Sequence, residues 1–479
     1  MVSTIQPKII IQPWAKAFAH PATEFGPTPL QTISGAIPKG LRGSFYRNGP
    51  ARFERGGQRV GHWCDGDGAI LAVHFTNTGA TGVYRYVQTQ EYQAEEKAGN
   101  LIFGSYGRTP SGPIWKQIGI PIKNCPNAAV LALPDRLLAL WEAGSPYALD
   151  LETLETFGVD KRLGLDEGLP YSAHPKRDPE TGDIYNFGVS YGSRGILHLY
   201  RGDYTGKIQQ QAAITLDELP LIHDFILTRE YLVFFIPPVR LNLLPFLTKR
   251  KSFSDSLSWR PKKGTQILVI DRRTLSVVSR GKAEPWFQWR FGNGYVDANG
   301  TVVVEVLRYE DFQINQFLKE VATGQTHTVA KGTLWQIHLD PRAGKVIARH
   351  QLLDRGCEYP TVAPDQVGKP WRFTYLSVHR QGVDISQELP GAITRFDYQT
   401  RTLTEAHLGE NRYPVSPIYA PDAENRSQGW ILTEVFDGDS CSSEVWIFDA
   451  DRLDAEPICR LALPSVVPLG FHGTWKSAQ

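Results

Sequence analysis

Neutral imidazole is the common protein ligand for iron, zinc and copper, and this chain of 479 residues has 12 histidines, few enough to weigh singly. His198, His338, His350 and His407 fall in or beside strand-like hairpins and read as ordinary strand or surface residues, while His327 follows a Gly-Gln-Thr turn. Three have a more pointed setting: His174 in Ser-Ala-His-Pro, His223 in Leu-Ile-His-Asp-Phe and His472 in Gly-Phe-His-Gly. Each adjoins apolar residues and lies far from the others in sequence, so a metal site built from them needs a fold that brings distant segments to one point. Competing chemistry is poorly represented. Asp65-Gly-Asp67-Gly has calcium-loop composition without the length or spacing of an EF-hand, and reads as a turn. The chain has no dinucleotide fingerprint, P-loop or Gly-x-Ser-x-Gly elbow.

The elements that must position these residues are mostly strands. Short β-branched and aromatic runs are cut by Gly, Pro, Asn and Asp, with 44 Gly and 33 Pro in all. A weak repeat runs through them: an apolar strand, a turn rich in Asp, Thr and Gly, and a second apolar strand. It is found at 72–86, 147–159, 196–208, 267–278, 334–347, 393–404 and 444–459, seven copies with room between successive turns for a four-stranded blade. Two packed sandwiches would also contain such hairpins, but the even spacing favours an all-β, seven-bladed propeller, whose innermost strands converge on one axis. Helix is expected at Trp14 to Phe18, in the loop after Val239, and around Tyr309 to Thr323. No linker or shift of composition marks an internal boundary, so residues 1–479 read as one propeller domain with insertions between blades.

Composition limits the function classes. A net charge of +1 from 51 basic and 50 acidic residues argues against nucleic acid as a partner. No run reaches the roughly 18 apolar residues of a spanning helix. The N-terminus does not read as a secretory signal, and five scattered cysteines without a C-x-x-C pair fit a reducing cytosol, so a cytoplasmic location is expected.

With these residues in view, the chain resembles a carotenoid cleavage oxygenase, similar to the apocarotenoid-cleaving members from cyanobacteria. The resemblance is carried by Trp14-Ala-Lys-Ala-Phe18 with Glu24-Phe25, Leu41-Arg-Gly-Ser-Phe-Tyr-Arg-Asn-Gly-Pro50 and His62-Trp-Cys-Asp-Gly-Asp-Gly68. It continues in Leu140-Trp-Glu142, Ala173-His-Pro175, His223-Asp-Phe225, Glu358-Tyr-Pro360 and Gly470-Phe-His-Gly473. It implies a helical and loop dome over the axial site, Fe(II) held by four histidines, and three glutamates that orient three of those histidines. The implied reaction is cleavage of a polyene double bond by O₂ to two aldehydes in an apolar tunnel. His174, His223 and His472 match three ligand positions, and Glu142 and Glu358 match two of the orienting carboxylates. Trp141, Trp289 and Tyr359 would line the tunnel.

Two departures stand beside these matches. The third ligand motif, Phe-His-His-x-Asn in the family, is here Trp289-Arg-Phe-Gly-Asn-Gly-Tyr295, which puts Arg290 and Phe291 where histidines belong. The third glutamate segment is Ser416-Pro-Ile-Tyr-Ala-Pro421, so Ser416 replaces a carboxylate. A guanidinium stays protonated and has no acceptor, so Arg290 cannot ligate. At about 6 Å it would repel a divalent ion by roughly 5 kcal/mol at an effective dielectric near 20. These substitutions predict a weakened metal site with Fe(II) substoichiometric or absent, held by His174, His223 and His472, and a direct Arg290–Glu358 ion pair in place of the lost imidazole contact. The expected function is an oxygenase that cleaves a carotenoid or apocarotenoid; the alternative is a metal-poor carotenoid-binding or isomerising protein on the same fold. Finally, Leu241, Leu243, Leu244, Phe246 and Leu247 precede Lys249, Arg250 and Lys251, a pattern suited to dipping into an anionic bilayer surface, which makes the membrane an expected partner.

Overall fold

The computed structural model describes residues 12–110, 112, 120–425 and 427–478. Its strands form seven sheets of four to six strands, all with antiparallel pairing, arranged as the blades of a propeller. All seven hairpins expected from the sequence are present within these sheets.

Their recurrence has a local cause. In Asp150-Leu-Glu-Thr-Leu154, Asp271-Arg-Arg-Thr-Leu275 and Asp397-Tyr-Gln-Thr-Arg401 the aspartate carboxylate accepts the backbone N–H groups two and three residues on. The residue four on is left-handed, with φ of 58°, 56° and 56°. Its N–H returns to the aspartate carbonyl. The side chain thus closes the turn before the strands pair, and Asp437 with Cys441 (φ 54°) repeats the device.

Two strands close the ring. Gly473–Ser477, at the C-terminal end, pairs with Gly43–Arg52, placing Trp475 opposite Phe45. Thr32–Gly35, near the N-terminal end, pairs with Cys459–Ala462. Each end of the chain is therefore a strand of a blade built from the other end, and the apolar layer of Phe45, Leu71, Val445 and Leu461 joins both clasps.

Helices and loops form a roof over one end of the axis. Gln313–Thr323 buries Ile314, Phe317 and Val321, the three- and four-residue spacing of one helical face, and stops at Gly324, whose φ of 80° supplies the left-handed cap. These side chains pack with Trp14, Phe18, Trp63, Phe287, Trp289 and Tyr359 in one core. The expected helices at 14–18 and after Val239 are present as Pro13–Phe18 and Leu243–Leu247, and a further helix, Gln90–Ala98, was not expected. The membrane patch needs one correction. Leu241 ends the strand Val239–Leu241, which pairs with Leu257–Trp259, and its side chain turns inward to 5 % exposure.

Because Phe45 is fully buried between the two clasps, Phe45→Ala should cost about 3–5 kcal/mol. Urea unfolding followed by circular dichroism checks this, and a loss below 1 kcal/mol would mean that the closing layer is not shared.

Candidate active site at the propeller axis

The residues singled out by chemistry occupy equivalent places. In five blades they stand just before the strand nearest the axis: His174 before Lys176–Arg177, His223 before Ile226–Leu227, Arg290 before Phe291–Val296, Ser416 before Ile418–Pro421 and His472 before Gly473–Ser477. In a sixth, Glu358 lies within Cys357–Thr361. Glu142 follows the strand Leu137–Leu140.

These positions meet. The His174 ring centroid is 4.3 Å from that of His223 and 5.0 Å from that of His472. Glu142 Oε1 lies 3.2 Å from His174 Nε2 and 3.3 Å from His223 Nδ1. Burial pushes the Glu142 carboxyl up, but His223 and His174 outweigh it and hold it at about 2. Burial lowers His223 against the opposing pull of Glu142, and burial together with Arg290 lowers His472 well below the usual imidazole range. At neutral pH His472 is therefore an uncharged ring.

Arg290 makes the ion pair with Glu358 that its replacement of an imidazole predicts. Its Nε donates to His472 Nε2 at 3.2 Å, and its guanidinium lies over the Tyr359 ring, 4.1 Å from the centroid. Tyr359 itself has φ of 57°, unusual for a bulky residue, at an irregularity in strand register between Glu358 and Thr361. The irregular strand is what presents Glu358 and Tyr359 to the axis together.

Ser416 does not reach His472. Its hydroxyl accepts from Arg47 Nη1 at 2.6 Å, and the same nitrogen donates to the Phe471 carbonyl at 3.0 Å. Arg47, which sequence reasoning missed, therefore fixes the backbone next to His472. Asp224 was missed too. Buried, it accepts from Lys176 Nζ at 2.9 Å, from Phe225 N at 2.8 Å and from Phe291 N at 3.1 Å, tying together the strands that carry His174, His223 and Arg290. Its place directly after His223 was the available signal.

The cluster opens into a cavity with about 1040 Å³ of empty space, part of it continuous with solvent. Trp141, Trp289 and Tyr359 line it as expected, joined by Trp63, Phe317 and Leu318 from the roof. Its mostly apolar wall suits a hydrophobic ligand. Trp289 also packs edge-on against His223 at 4.6 Å.

The donor set fits a divalent metal. Glu142, His174 and His223 present ligand atoms that all lie within 4.8 Å of one another. Glu142 Oε1 and His174 Nε2 are buried without a hydrogen-bond partner, a state that a shared cation relieves.

Comparison with known proteins agrees with this geometry. The family model described as "Retinal pigment epithelial membrane protein" matches residues 18–477. The chain belongs to this family, that of the carotenoid cleavage oxygenases. Apocarotenoid-15,15'-oxygenase of Synechocystis sp. is 32% identical over 460 residues, covering 93% of this chain and 92% of that protein. Resveratrol cleavage oxygenase 1 of Aspergillus fumigatus is 26% identical over 489 residues, covering 97% of this chain and 95% of that protein. Among solved structures, the cobalt-substituted Synechocystis enzyme superposes with a TM-score of 0.88 at 30% identity, covering 97% of this chain and 98% of that one.

Removing Arg290 strands the mostly buried carboxylate of Glu358. Arg290→Ala should destabilise the fold by about 3–5 kcal/mol, and the paired change Arg290→Met with Glu358→Gln should recover most of it. Equilibrium unfolding of the three proteins checks this; equal losses in the single and double variants would show that the ion pair is not the cause.

Proposed function

We propose that this protein is an oxygenase that cleaves one double bond of a carotenoid or apocarotenoid with O₂, each product aldehyde carrying one of the two oxygen atoms. The observation that carries this reading is the junction of an apolar-walled cavity with an imidazole and carboxylate cluster on the propeller axis. A rigid, water-insoluble polyene matches such a wall, and the cluster supplies ligands where the chain of double bonds would pass.

Fe(II), held at His174 and His223 with Glu142 and His472 beside them, would supply the centre at which O₂ is activated. The protein's own part is positioning and exclusion. Trp141, Trp289 and Tyr359 confine the polyene laterally, and Trp289 against His223 sets how close its face comes to the cluster. The roof residues Phe317 and Leu318 keep water from the reacting bond. Arg290, neutralised by Glu358, adds no net charge to the cavity wall. This reading also supports a membrane as the source of substrate. Leu244 and Leu247 are 73% and 62% exposed on the short helix that precedes Lys249, Arg250 and Lys251.

Protein loaded anaerobically with Fe(II) and given an apocarotenoid should form two aldehydes on exposure to O₂, separable by chromatography. Trp289→Ala should slow their formation about 10- to 100-fold through loss of positioning. A loaded protein that leaves the polyene intact would refute the proposal.

Liposome binding should rise with anionic lipid and fall with salt, since surface charge is screened within about 8–10 Å at physiological ionic strength. The paired change Leu244→Ser and Leu247→Ser should abolish it, and undiminished sedimentation with vesicles would show that this helix does not insert.

A further inference from the structure

We infer that His379 is a specificity residue of the substrate cavity, whose imidazole takes a hydroxyl at one end of the polyene and so favours hydroxylated over purely hydrocarbon end groups. This rests on the reading of the cavity as a polyene site. His379 stands apart from the axial cluster: the charges that act on it are Arg355 and Arg380, not Arg290 or Glu142.

Its place is built by the backbone. His379 directly follows the strand Phe373–Val378, whose last residue pairs with Cys357. Its N–H donates to the Gly356 carbonyl at 2.9 Å, and its own carbonyl accepts from Arg355 Nε at 2.6 Å. A Cβ at residue 356 would stand 2.7 Å from His379 Cδ2, so the glycine there leaves the ring its room. The residue is 7% exposed and lines the cavity beside Leu389, Pro390, Tyr413, Pro414 and Val415. This stretch of wall belongs to the blades of Glu358 and Ser416, whereas His174 and His223 stand on two others.

The polar groups around it are already engaged. The Tyr413 hydroxyl donates to Glu388 Oε1 at 3.4 Å, Arg355 pairs with Glu405, and Arg380 pairs with Glu388. His379 differs: its Nδ1 is buried without a hydrogen-bond partner among the described residues. Such an atom costs stability until a ligand or a water satisfies it. Burial, with Arg355 and Arg380 beside it, lowers the imidazole to about 4, so at neutral pH the ring is uncharged and offers one N–H and one lone pair. A hydroxyl, which both donates and accepts, matches either tautomer. A carboxylate would not be drawn there, because both arginines are already neutralised. A hydrocarbon ring in the same place would leave Nδ1 unpaired, which is how a site built to hydrogen-bond a hydroxyl rejects the analogue that lacks it.

The test uses the full chain under argon, so that binding is read without turnover, by quenching of the emission of Trp63, Trp141 and Trp289 on the same wall. The probes are an apocarotenal whose end ring carries a hydroxyl and the same apocarotenal without it. The parent should bind the hydroxylated probe about tenfold more tightly, the usual contribution of one buried hydrogen bond, in a comparison that needs no variant. His379→Phe should bring the two probes within about twofold while holding the unhydroxylated one within about threefold of the parent, and His379→Gln, which keeps a donor and an acceptor, should retain a preference of about threefold. A parent that does not distinguish the probes, a His379→Phe variant that still does or that loses both equally, or a His379→Gln variant no more selective than His379→Phe would each overturn the assignment. Aldehyde formation by Fe(II)-loaded protein on exposure to O₂ separates the two readings, and there His379→Phe should raise KM for the hydroxylated probe with kcat within about twofold. Aldehydes from both probes with equal affinities would sink the role of His379 alone; a tenfold preference without aldehydes would sink the oxygenase reading alone.

Discussion

Polar side chains at the entry to a propeller's inner strands have nowhere to go but toward one another. The strands beginning at Lys176, Ile226, Phe291, Ile418 and Gly473 all start at the axis, under a roof of aromatic residues, and a charge placed there must find its partner inside the same small space. Glu358 shows the consequence. Without a neighbouring cation or ordered imidazole it would be a mostly buried, uncompensated carboxylate, and Arg290 reaches it from the adjacent blade. Once Arg290 is there its remaining edge meets His472, so a substitution in one strand alters the hydrogen bonding of a histidine contributed by another. The pair, the stacked Tyr359 and His472 behave as one unit.

The rest of the architecture maintains that convergence. Clasps at both chain ends close the ring, so the blade carrying His472 cannot drift from those carrying His174 and His223. Asp224 ties three inner strands together through a single carboxylate, and Arg47 anchors the backbone beside His472. The roof, built on the buried face of Gln313–Thr323, makes the cavity apolar as well as closed to one side. Ring closure, strand anchoring and roof packing thus fix the relative positions of side chains drawn from all seven blades.

Much of this was legible in the residues because the turns are local. A short polar side chain, in most repeats an Asp, that accepts the next N–H groups closes the hairpin locally, so the repeats could be placed from the turn residues. The three histidines stood out because apolar neighbours surround them, and the Arg290–Glu358 contact followed from charge balance. What escaped depends on tertiary direction. Leu241 and Leu244 are alike in sequence, but one ends a paired strand and the other sits on an exposed helix. Gln90–Ala98 has a Thr89 cap and a left-handed Gly99, yet its polar composition gave no hydrophobic period to mark it. The approach of Glu142 to two rings depends on a loop path that no spacing rule fixes.

The central claim is that residue 290 decides how many imidazoles the centre can use. Arg290→His tests it most directly, because the new ring can take the Glu358 contact while releasing His472. X-ray absorption of the Co(II)-loaded variant should count more imidazoles than that of the parent. An unchanged count would contradict the account, since it would mean that His472 is held away from the metal by something other than Arg290.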